Sequence, residues 1–257
     1  MIENLNLSDF ELDRFIYRII PYDRFINNLK NNENVFIRPK LWDDPFENIL
    51  TLQTRNRRYV DDKYFIYAQC WTFSKENDLL WRSYSPNKDS VKLRSTPRKM
   101  IDSIKNSKRI CSIISDPKVI YKSNGISLKE EIEGFIGKVK YLSNKRIIRS
   151  LRQAFYSDTN SYYEPLFLKR DAFKNEDELR IGLRYSFGYD DIQFLLSPDI
   201  FNFDIETSDI IDEIVFDPRI SDFKFEALKN QIQQYGYSNP ICKSNLYEIP
   251  DINKILE

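Results

Sequence analysis

The amino-acid sequence predicts an α+β fold with mixed or antiparallel sheets and flanking helices. Short apolar or alternating runs, typical of strands, are separated by amphipathic helical segments. Only 6 glycines occur, and no internal repeat or linker is visible, so we expect residues 1–257 to form a single domain. A chain of 257 residues with 41% hydrophobic content is long enough to bury a substantial core.

Each strand is predicted from a run that ends at a proline or in a polar turn. In chain order the predicted strands cover residues 15–20, 34–38, 64–74, 90–94, 119–121, 139–141, 179–184, 210–216 and 246–248. Helices are predicted where apolar residues recur every three or four positions, in some cases behind a capping Asp. They cover residues 22–30, 79–84, 97–107, 128–135, 146–156, 166–175 and 223–235.

The composition removes several classes of function. The sequence contains no histidine, which excludes His-dependent catalytic triads and the His-x-Glu and His-Glu-x-x-His zinc sites. Neither a Gly-x-x-x-x-Gly-Lys-Ser/Thr phosphate loop nor a Gly-x-Gly-x-x-Gly fingerprint occurs. An enzyme with this sequence must therefore use carboxylates, arginines, hydroxyls, aromatic residues or a carboxylate-bound metal.

Charge and cysteine usage predict a cytoplasmic protein. The 39 Lys and Arg residues balance 39 Asp and Glu residues, so no net field draws the chain to nucleic acid or membrane. The 3 cysteines are far apart and form no Cys-x-x-Cys pair, as in reduced proteins. No signal peptide and no apolar run of membrane-spanning length is recognisable.

The most informative segment is Glu176-Asp177-Glu178, at the start of a predicted strand. In an extended chain the two glutamates point to the same side. Paired carboxylates at a strand edge are used in catalytic and metal sites, but they also occur in solvated loops. The residues of this segment alone leave both possibilities open.

Several segments resemble, in this order, a bacterial family known only as domain of unknown function 2971. The matching segments are residues 16–18, 42–47, 70–74, 80–84, Lys169 with 176–181, and 212–219. The sequence departs from the family at residues 89–94, where the family tends to have a strand with two glycines. The family name implies no function.

A second resemblance involves Arg18, the Thr72-Phe73-Ser74 segment and Glu176-Asp177-Glu178. Their order is similar to the Arg…Ser-Thr-Ser…Glu-x-Glu pattern of arginine-type ADP-ribosyltransferases. The resemblance implies an ADP-ribosyltransferase-like fold and an enzyme that consumes NAD as substrate, with no metal expected. The acceptor of the ADP-ribose, a protein, a nucleic acid or water, is left open.

The resemblance also implies roles for individual residues. Glu178 would stabilise the oxocarbenium-like centre as nicotinamide leaves, Ser74 would orient Glu178, and Glu176 would deprotonate the acceptor. Arg18 would bind the phosphates or ribose of NAD by charge-assisted hydrogen bonds. The other implied NAD contacts are Thr72, Arg38, and the stacking residues Trp81 and Tyr84. Arg18, Ser74 and Glu178 are therefore expected to converge on one cleft, with Trp81 or Tyr84 on its wall.

Two further functions remain open at the level of sequence. A metal-dependent nuclease could hold Mg²⁺ or Mn²⁺ with acidic residues, while a basic helix grips phosphates; the residues concerned are Asp43, Asp44, Glu47, Glu176 and Glu178, with Arg146, Arg149 and Arg152. A non-enzymatic sensor domain could bind a nucleic acid or a protein partner through the two predicted basic helices, residues 97–107 and 146–156. By analogy, an NAD-consuming enzyme of this kind suits a toxin or phage-defence effector with a regulatory or antitoxin partner, and no membrane partner is expected.

Overall fold

A computed structural model describes residues 2–42, 44, 47, 64–107, 110–113, 132–156, 164–186 and 199–249. The strands of this part are β1 (Ile2–Asn4), β2 (Ile16–Ile20), β3 (Glu33–Ile37), β4 (Tyr64–Thr72), β5 (Val91–Ser95), β6 (Ile110–Ile113), β7 (Ile132–Lys138), β8 (Lys140–Leu142), β9 (Leu168–Arg170), β10 (Glu178–Ser186), β11 (Ile200–Asp204), β12 (Glu213–Phe216) and β13 (Ile241–Lys243). The α-helices are α1 (Asp9–Leu12), α2 (Tyr22–Asn31), α3 (Asp78–Tyr84), α4 (Pro97–Asn106), α5 (Asn144–Tyr156), α6 (Thr207–Ile210) and α7 (Asp222–Gln234), and 3₁₀ turns cover Pro39–Leu41, Glu164–Phe167 and Asp171–Glu176.

Eleven of the described strands form one mixed sheet. Its main path runs β1–β7–β10–β4–β2–β5–β12–β13, and β3, β11 and β6 branch from β4. Most neighbours are antiparallel, while β1–β7 and β12–β13 are parallel. The predicted α+β class with a mixed sheet and flanking helices is confirmed; the assignment of residues 1–257 to a single domain stays a prediction.

Strand β4 is the point at which the sheet divides. One edge of β4 pairs with β10, where Thr72 lies opposite Glu178. The other edge contacts β2 at the Tyr17–Thr72 pair and β3 at the Ile37–Ala68 pair. Because directly paired residues share a face of a sheet, Tyr17, Thr72 and Glu178 form one row across three strands.

At this row, one face of the sheet packs on the hydrophobic core and the other carries charged side chains. Successive residues of a strand point to opposite faces, so Leu179 and Trp71 face the main hydrophobic core together with Leu29 of α2 and Met100 of α4. The alternation predicted for β10 is confirmed in that Leu179, Ile181 and Leu183 are all buried. However, Arg180 on the other face is also buried, so this strand carries a charged residue in its interior.

Three secondary-structure predictions are wrong within the described residues. Residues 132–135 belong to strand β7 rather than to a helix, because glycines at 134 and 137 disfavour helix in this segment. The last strand is Ile241–Lys243, and residues 246–248 are not a strand. The predicted 166–175 helix is interrupted by β9, which pairs in parallel with β8 in a second small sheet.

Two predicted secondary-structure elements lie wholly or partly outside the described residues. The 119–121 strand and the 128–131 part of the predicted helix lie outside the described residues. Among the helices that the structure describes, none is long and apolar enough to cross a membrane.

Candidate functional site

The carboxylate of Glu178 is buried in a cluster of charged side chains at the start of β10. Arg180 donates from Nε to Oε1 at 2.8 Å and from Nη2 to Oε2 at 3.0 Å. Lys169 Nζ lies 3.1 Å from Oε2, and the thiol of Cys70 donates a further hydrogen bond. All of these groups stabilise the ionised form of Glu178.

Lys169 occupies the centre of three glutamates. Its ammonium group lies 2.6 Å from Glu176, 3.1 Å from Glu178 and 3.1 Å from Glu47. Arg180 also contacts Glu47 at 2.7 Å and donates to the Leu166 carbonyl at 2.5 Å. We call Glu47, Lys169, Glu176, Glu178 and Arg180 the carboxylate cluster.

Local backbone structure explains how both glutamates reach Lys169. Between them, Asp177 adopts the left-handed conformation with φ 42°, which Asp tolerates better than most residues. This residue ends the 3₁₀ turn and starts β10, and its carbonyl accepts from the Phe73 amide at 3.0 Å. The Thr72 hydroxyl donates to the Glu176 carbonyl at 2.5 Å, so β4 fixes the Glu-x-Glu segment from the side.

The two carboxylates have pKa values that move in opposite directions. Burial alone would raise the pKa of Glu178, but the charges of Arg180 and Lys169 outweigh it and lower this pKa to about 2. Burial raises the pKa of Glu176 above its ordinary value, although Lys169 acts in the opposite direction. Glu178 is therefore ionised at neutral pH, while Glu176 takes up a proton more readily than an ordinary glutamate.

The carboxylate cluster has a surplus of negative charge. Three glutamates face two cations, whereas the neighbouring Asp44 and Arg170 neutralise each other at 3.0 Å. The Glu176 side chain is 18% exposed and that of Glu178 only 4%. A ligand approaching from solvent therefore meets Glu176 first, with the ionised Glu178 beneath it.

Two tyrosines surround the cluster. Tyr84 at the end of α3 is 44% exposed, and burial together with the charge of Glu176 raises the pKa of its hydroxyl. Tyr141 on β8 accepts a hydrogen bond from the Glu178 amide at 2.8 Å. Tyr84 is thus available to contact a ligand, while Tyr141 holds the backbone of Glu178.

The predicted orientation of Glu178 by Ser74 is not what the structure contains. Ser74 accepts from the Asn77 side chain at 3.2 Å, and its amide donates to the Thr72 hydroxyl at 3.0 Å. The partners of the Glu178 carboxylate are instead Arg180, Lys169 and Cys70. Thr72 is the hydroxyl residue that fixes the Glu-x-Glu segment.

Arg18 does not lie near Glu178, so the expectation that the two residues converge on one cleft is wrong. Tyr17 is the residue of β2 in register with Thr72 and Glu178, so its neighbour Arg18 points to the opposite face of the sheet. There it lines a small cavity with Leu29 and Met100. Burial lowers the pKa of Arg18 to about 10.

Trp81 and Arg38 also lie away from an accessible ligand surface at the cluster. Trp81 is 0% exposed, and its indole donates to Glu76 at 2.7 Å, so it cannot form the predicted stacking wall. Arg38 follows β3, where its guanidinium lies 4.0 Å from Asp199. Of the two predicted stacking residues, Tyr84 is the one that the structure brings to the site.

Sequence reasoning missed Arg180 and Tyr141. A charged residue between the apolar Leu179 and Ile181 suggests an exposed position, yet Arg180 is buried by Glu178, Glu47 and the ring of Trp42, which lies 4.3 Å from the guanidinium carbon. The signal that could have identified Arg180 is its place two residues after Glu178, on the same face of the strand.

Comparisons with known proteins add a partial family match. The family described as "Protein of unknown function (DUF2971)" matches residues 80–181, less than half of the chain, which include Lys169, Glu176 and Glu178. No curated protein matches the sequence.

Two solved structures of DarT from Thermus sp. 2.9 resemble the chain weakly. One is "in complex with NAD+" and the other "in complex with ADP-ribosylated ssDNA". Both align with a TM-score of 0.38, at 10% and 11% identity, over 90% of this chain and 95% and 94% of theirs. At this level of similarity they do not determine the chemistry of this chain.

Proposed function

We propose that the protein consumes NAD, transferring ADP-ribose to a macromolecule or hydrolysing NAD at the carboxylate cluster. The proposal rests on the opposite pKa shifts of Glu176 and Glu178, the two carboxylates of the Glu-x-Glu segment, which both contact Lys169. Carboxylates whose environments separate their pKa values are typical of sites that need one ionised group and one group that exchanges a proton.

The surplus negative charge suits cleavage of the nicotinamide–ribose bond. When this bond breaks, its electron pair leaves with nicotinamide and positive charge develops on the ribose C1′ and ring oxygen. The fixed charge of Glu178 and the surplus charge at Glu176 would stabilise that cation. Tyr84 would line the face on which the nicotinamide ring is held.

Glu176 accepts a proton in the second half of the proposed reaction. An acceptor hydroxyl, amine or water forms a bond to C1′ and passes its proton to the ionised Glu176 carboxylate. Lys169, 2.6 Å away, favours the ionised form, and burial favours the protonated one. This balance lets Glu176 accept a proton more readily than an ordinary glutamate and release it again.

A radiolabelled NAD assay tests the proposal. Wild type should release nicotinamide and either label an acceptor or form free ADP-ribose. Glu176→Gln and Glu178→Gln should each lower the rate by roughly 100- to 10,000-fold, the range for losing a proton-transfer group or a charged stabiliser. The matched control is Glu226→Gln on α7, where an exposed glutamate lies 3.9 Å from Lys229.

The outcomes separate catalysis from folding. Circular dichroism and urea unfolding should show that each variant is folded under the assay conditions. Absence of nicotinamide release by folded wild type, or full activity of both cluster variants, would contradict the proposal. If expression of wild type inhibits bacterial growth and Glu178→Gln relieves the inhibition, the toxin or defence role would be supported as well.

The nuclease hypothesis has weaker support. In the described residues no group of three or more His, Cys, Asp or Glu side chains is arranged to hold a metal ion. Lys169 occupies the space between Glu47, Glu176 and Glu178, and Asp43 lies outside the described residues. EDTA sensitivity of any DNA or RNA cleavage would distinguish this function from the proposed one.

One observation favours nucleic-acid binding as a second candidate function. Helix α5 contains no acidic residue and exposes three arginines that share one side of the helix, Arg146, Arg149 and Arg152. It packs against β9, which carries Lys169. A steep decrease of nucleic-acid affinity with salt, unchanged by Glu178→Gln, would support a binding domain.

A further inference from the structure

A cleft of about 460 Å³ lies at the same end of the sheet as the carboxylate cluster. It is lined by residues to which the sequence assigned no role, among them Arg14, Tyr17, Phe73 and Lys75. Tyr17 is two strands from Glu178 in the same cross-strand row, which corresponds to about 10 Å between their backbones.

The positive charge in this cleft has no carboxylate partner among the described residues. Arg14 and Lys75 are exposed and form no ion pair there. The carboxylate that lines the cleft is Asp13, and Arg98 holds both of its oxygens at 2.6 and 2.9 Å. Asp13 therefore does not neutralise Arg14, and the cleft presents two available cations.

Aromatic rings complete the lining. Phe10 is 78% exposed, Phe15 is also exposed, and both border the cleft. The Arg14 guanidinium lies 4.7 Å from the centre of the buried Phe73 ring, which holds the cation in place. Exposed rings beside unpaired cations suit a ligand that combines a flat heteroaromatic base with phosphate groups.

The wall of the cleft is rigidly attached to the sheet. Helix α1 begins with a capping box between Ser8 and Glu11. Glu11 also binds Lys138 of β7 at 2.6 Å, and Lys138 is in register with Leu179, so this contact lies at the level of Glu178 but on the opposite face of the sheet. The segment that carries Phe10 and Arg14 is thus held at a defined distance from the carboxylate cluster.

The two sites have opposite charge. The cleft carries Arg14 and Lys75, which have no carboxylate partner in the part of the chain that the structure describes, and the carboxylate cluster carries a surplus carboxylate near Glu176. The charges of NAD are complementary to those of the two sites, because its diphosphate is anionic and its nicotinamide ring is cationic.

We propose that the cleft binds the adenosine diphosphate half of NAD, with the diphosphate on Arg14 and Lys75 and the adenine against Phe10 or Phe15. The nicotinamide end then points to Glu176 and Tyr84. The orientation rests on the proposed function, whereas the nucleoside diphosphate site itself requires no catalysis.

Calorimetric titration with ADP, which contains no nicotinamide, tests the site independently of NAD cleavage. Arg14→Gln should weaken ADP binding roughly ten- to hundred-fold, as expected for a lost charge-assisted bond to phosphate. Replacing Phe10 and Phe15 together by leucine should weaken ADP binding but leave pyrophosphate binding unchanged. The control is Lys105→Gln, an exposed lysine of α4, which should bind ADP like wild type.

The outcomes for the cleft and for catalysis are distinguishable. ADP binding that depends on Arg14 but not on Lys105 supports the site, whether or not nicotinamide is released in the separate assay. No ADP binding, or equal affinity of wild type and Arg14→Gln, overturns the site even if the protein cleaves NAD. In an active enzyme, Arg14→Gln should raise KM for NAD far more than it lowers kcat.

Discussion

Replacing Lys169 with methionine removes the ammonium group that three glutamates share. Its Nζ lies 2.6 Å from Glu176 and 3.1 Å from each of the other two, and the side chain is 8% exposed. Removing one partner of a buried ion pair leaves uncompensated charge and costs about 3–5 kcal/mol of unfolding free energy. With three carboxylates affected, we expect a loss in the upper part of that range.

The matched control is Lys224→Met, the same substitution in an exposed pair. Lys224 lies 2.9 Å from Asp89, and the two side chains are 47% and 29% exposed. An exposed pair of this kind contributes about 0.2–1 kcal/mol. Urea unfolding of both variants and wild type, monitored by tryptophan fluorescence at neutral pH, gives the two losses directly.

The pH dependence gives the Lys169→Met prediction a second readout. Burial already raises the pKa of Glu176, and without the ammonium group the opposing effect of Lys169 is lost, so the destabilising effect of this carboxylate is present at high pH and decreases as it protonates. The stability deficit should therefore shrink as pH falls toward 4.5, the ordinary pKa of a glutamate, and adding Glu176→Gln should restore part of the lost stability. A deficit no larger than that of Lys224→Met would refute the assignment of Lys169 as the buried partner of the three glutamates.

Three further predictions concern the residues that support the site. The pKa of Glu178 is about 2 instead of the ordinary 4.5, so its ionised carboxylate stabilises the fold above pH 4.5. This stabilisation is lost as pH falls toward 2. The difference in unfolding free energy between wild type and Glu178→Gln should therefore narrow by about 3 kcal/mol from pH 4.5 to pH 2. Thr72→Val removes the hydroxyl that donates to the Glu176 carbonyl and should cost about 1–2 kcal/mol in urea unfolding, and an unchanged stability would contradict this role. Gly182→Ala would place a Cβ atom 2.0 Å from the buried Phe135 ring, so a loss of about 1–3 kcal/mol is expected in thermal unfolding, and a neutral effect would contradict the tight β7–β10 packing.

The elements that could be predicted from the sequence are those whose pattern is local. Strand β2 and helix α2 begin and end close to their predicted limits because an apolar run meets Pro21 and an amphipathic period follows it. Strand β7 could not be predicted in this way, since its two glycines are selected by close contacts with other segments. Gly134 lies against Ile2 of β1, where a Cβ atom would be 2.6 Å from the isoleucine side chain.

The site was only partly predictable for a similar reason. The sequence identified Glu176 and Glu178 as a pair, and both contact Lys169. However, Glu176 lies in the 3₁₀ turn before β10, so the left-handed Asp177 between them, and not an extended strand, brings the pair together. Whether Arg18 joins them depends on which residue of β2 is in register with Thr72, and a shift of one residue transfers a side chain to the other face. Order along the chain contains no information on that register, so it could not distinguish Arg18 from Tyr17.

Nicotinamide release from NAD, followed over a range of pH for wild type and Glu176→Gln, tests the central claim most directly. Glu176 must be ionised to accept the proton of the acceptor, and burial raises its pKa. Wild-type activity should therefore fall as pH decreases through a value above the ordinary pKa of a glutamate, and Glu176→Gln should be nearly inactive at every pH. Folded wild type that releases no nicotinamide, or a Glu176→Gln variant with the rate and pH profile of wild type, would contradict the account.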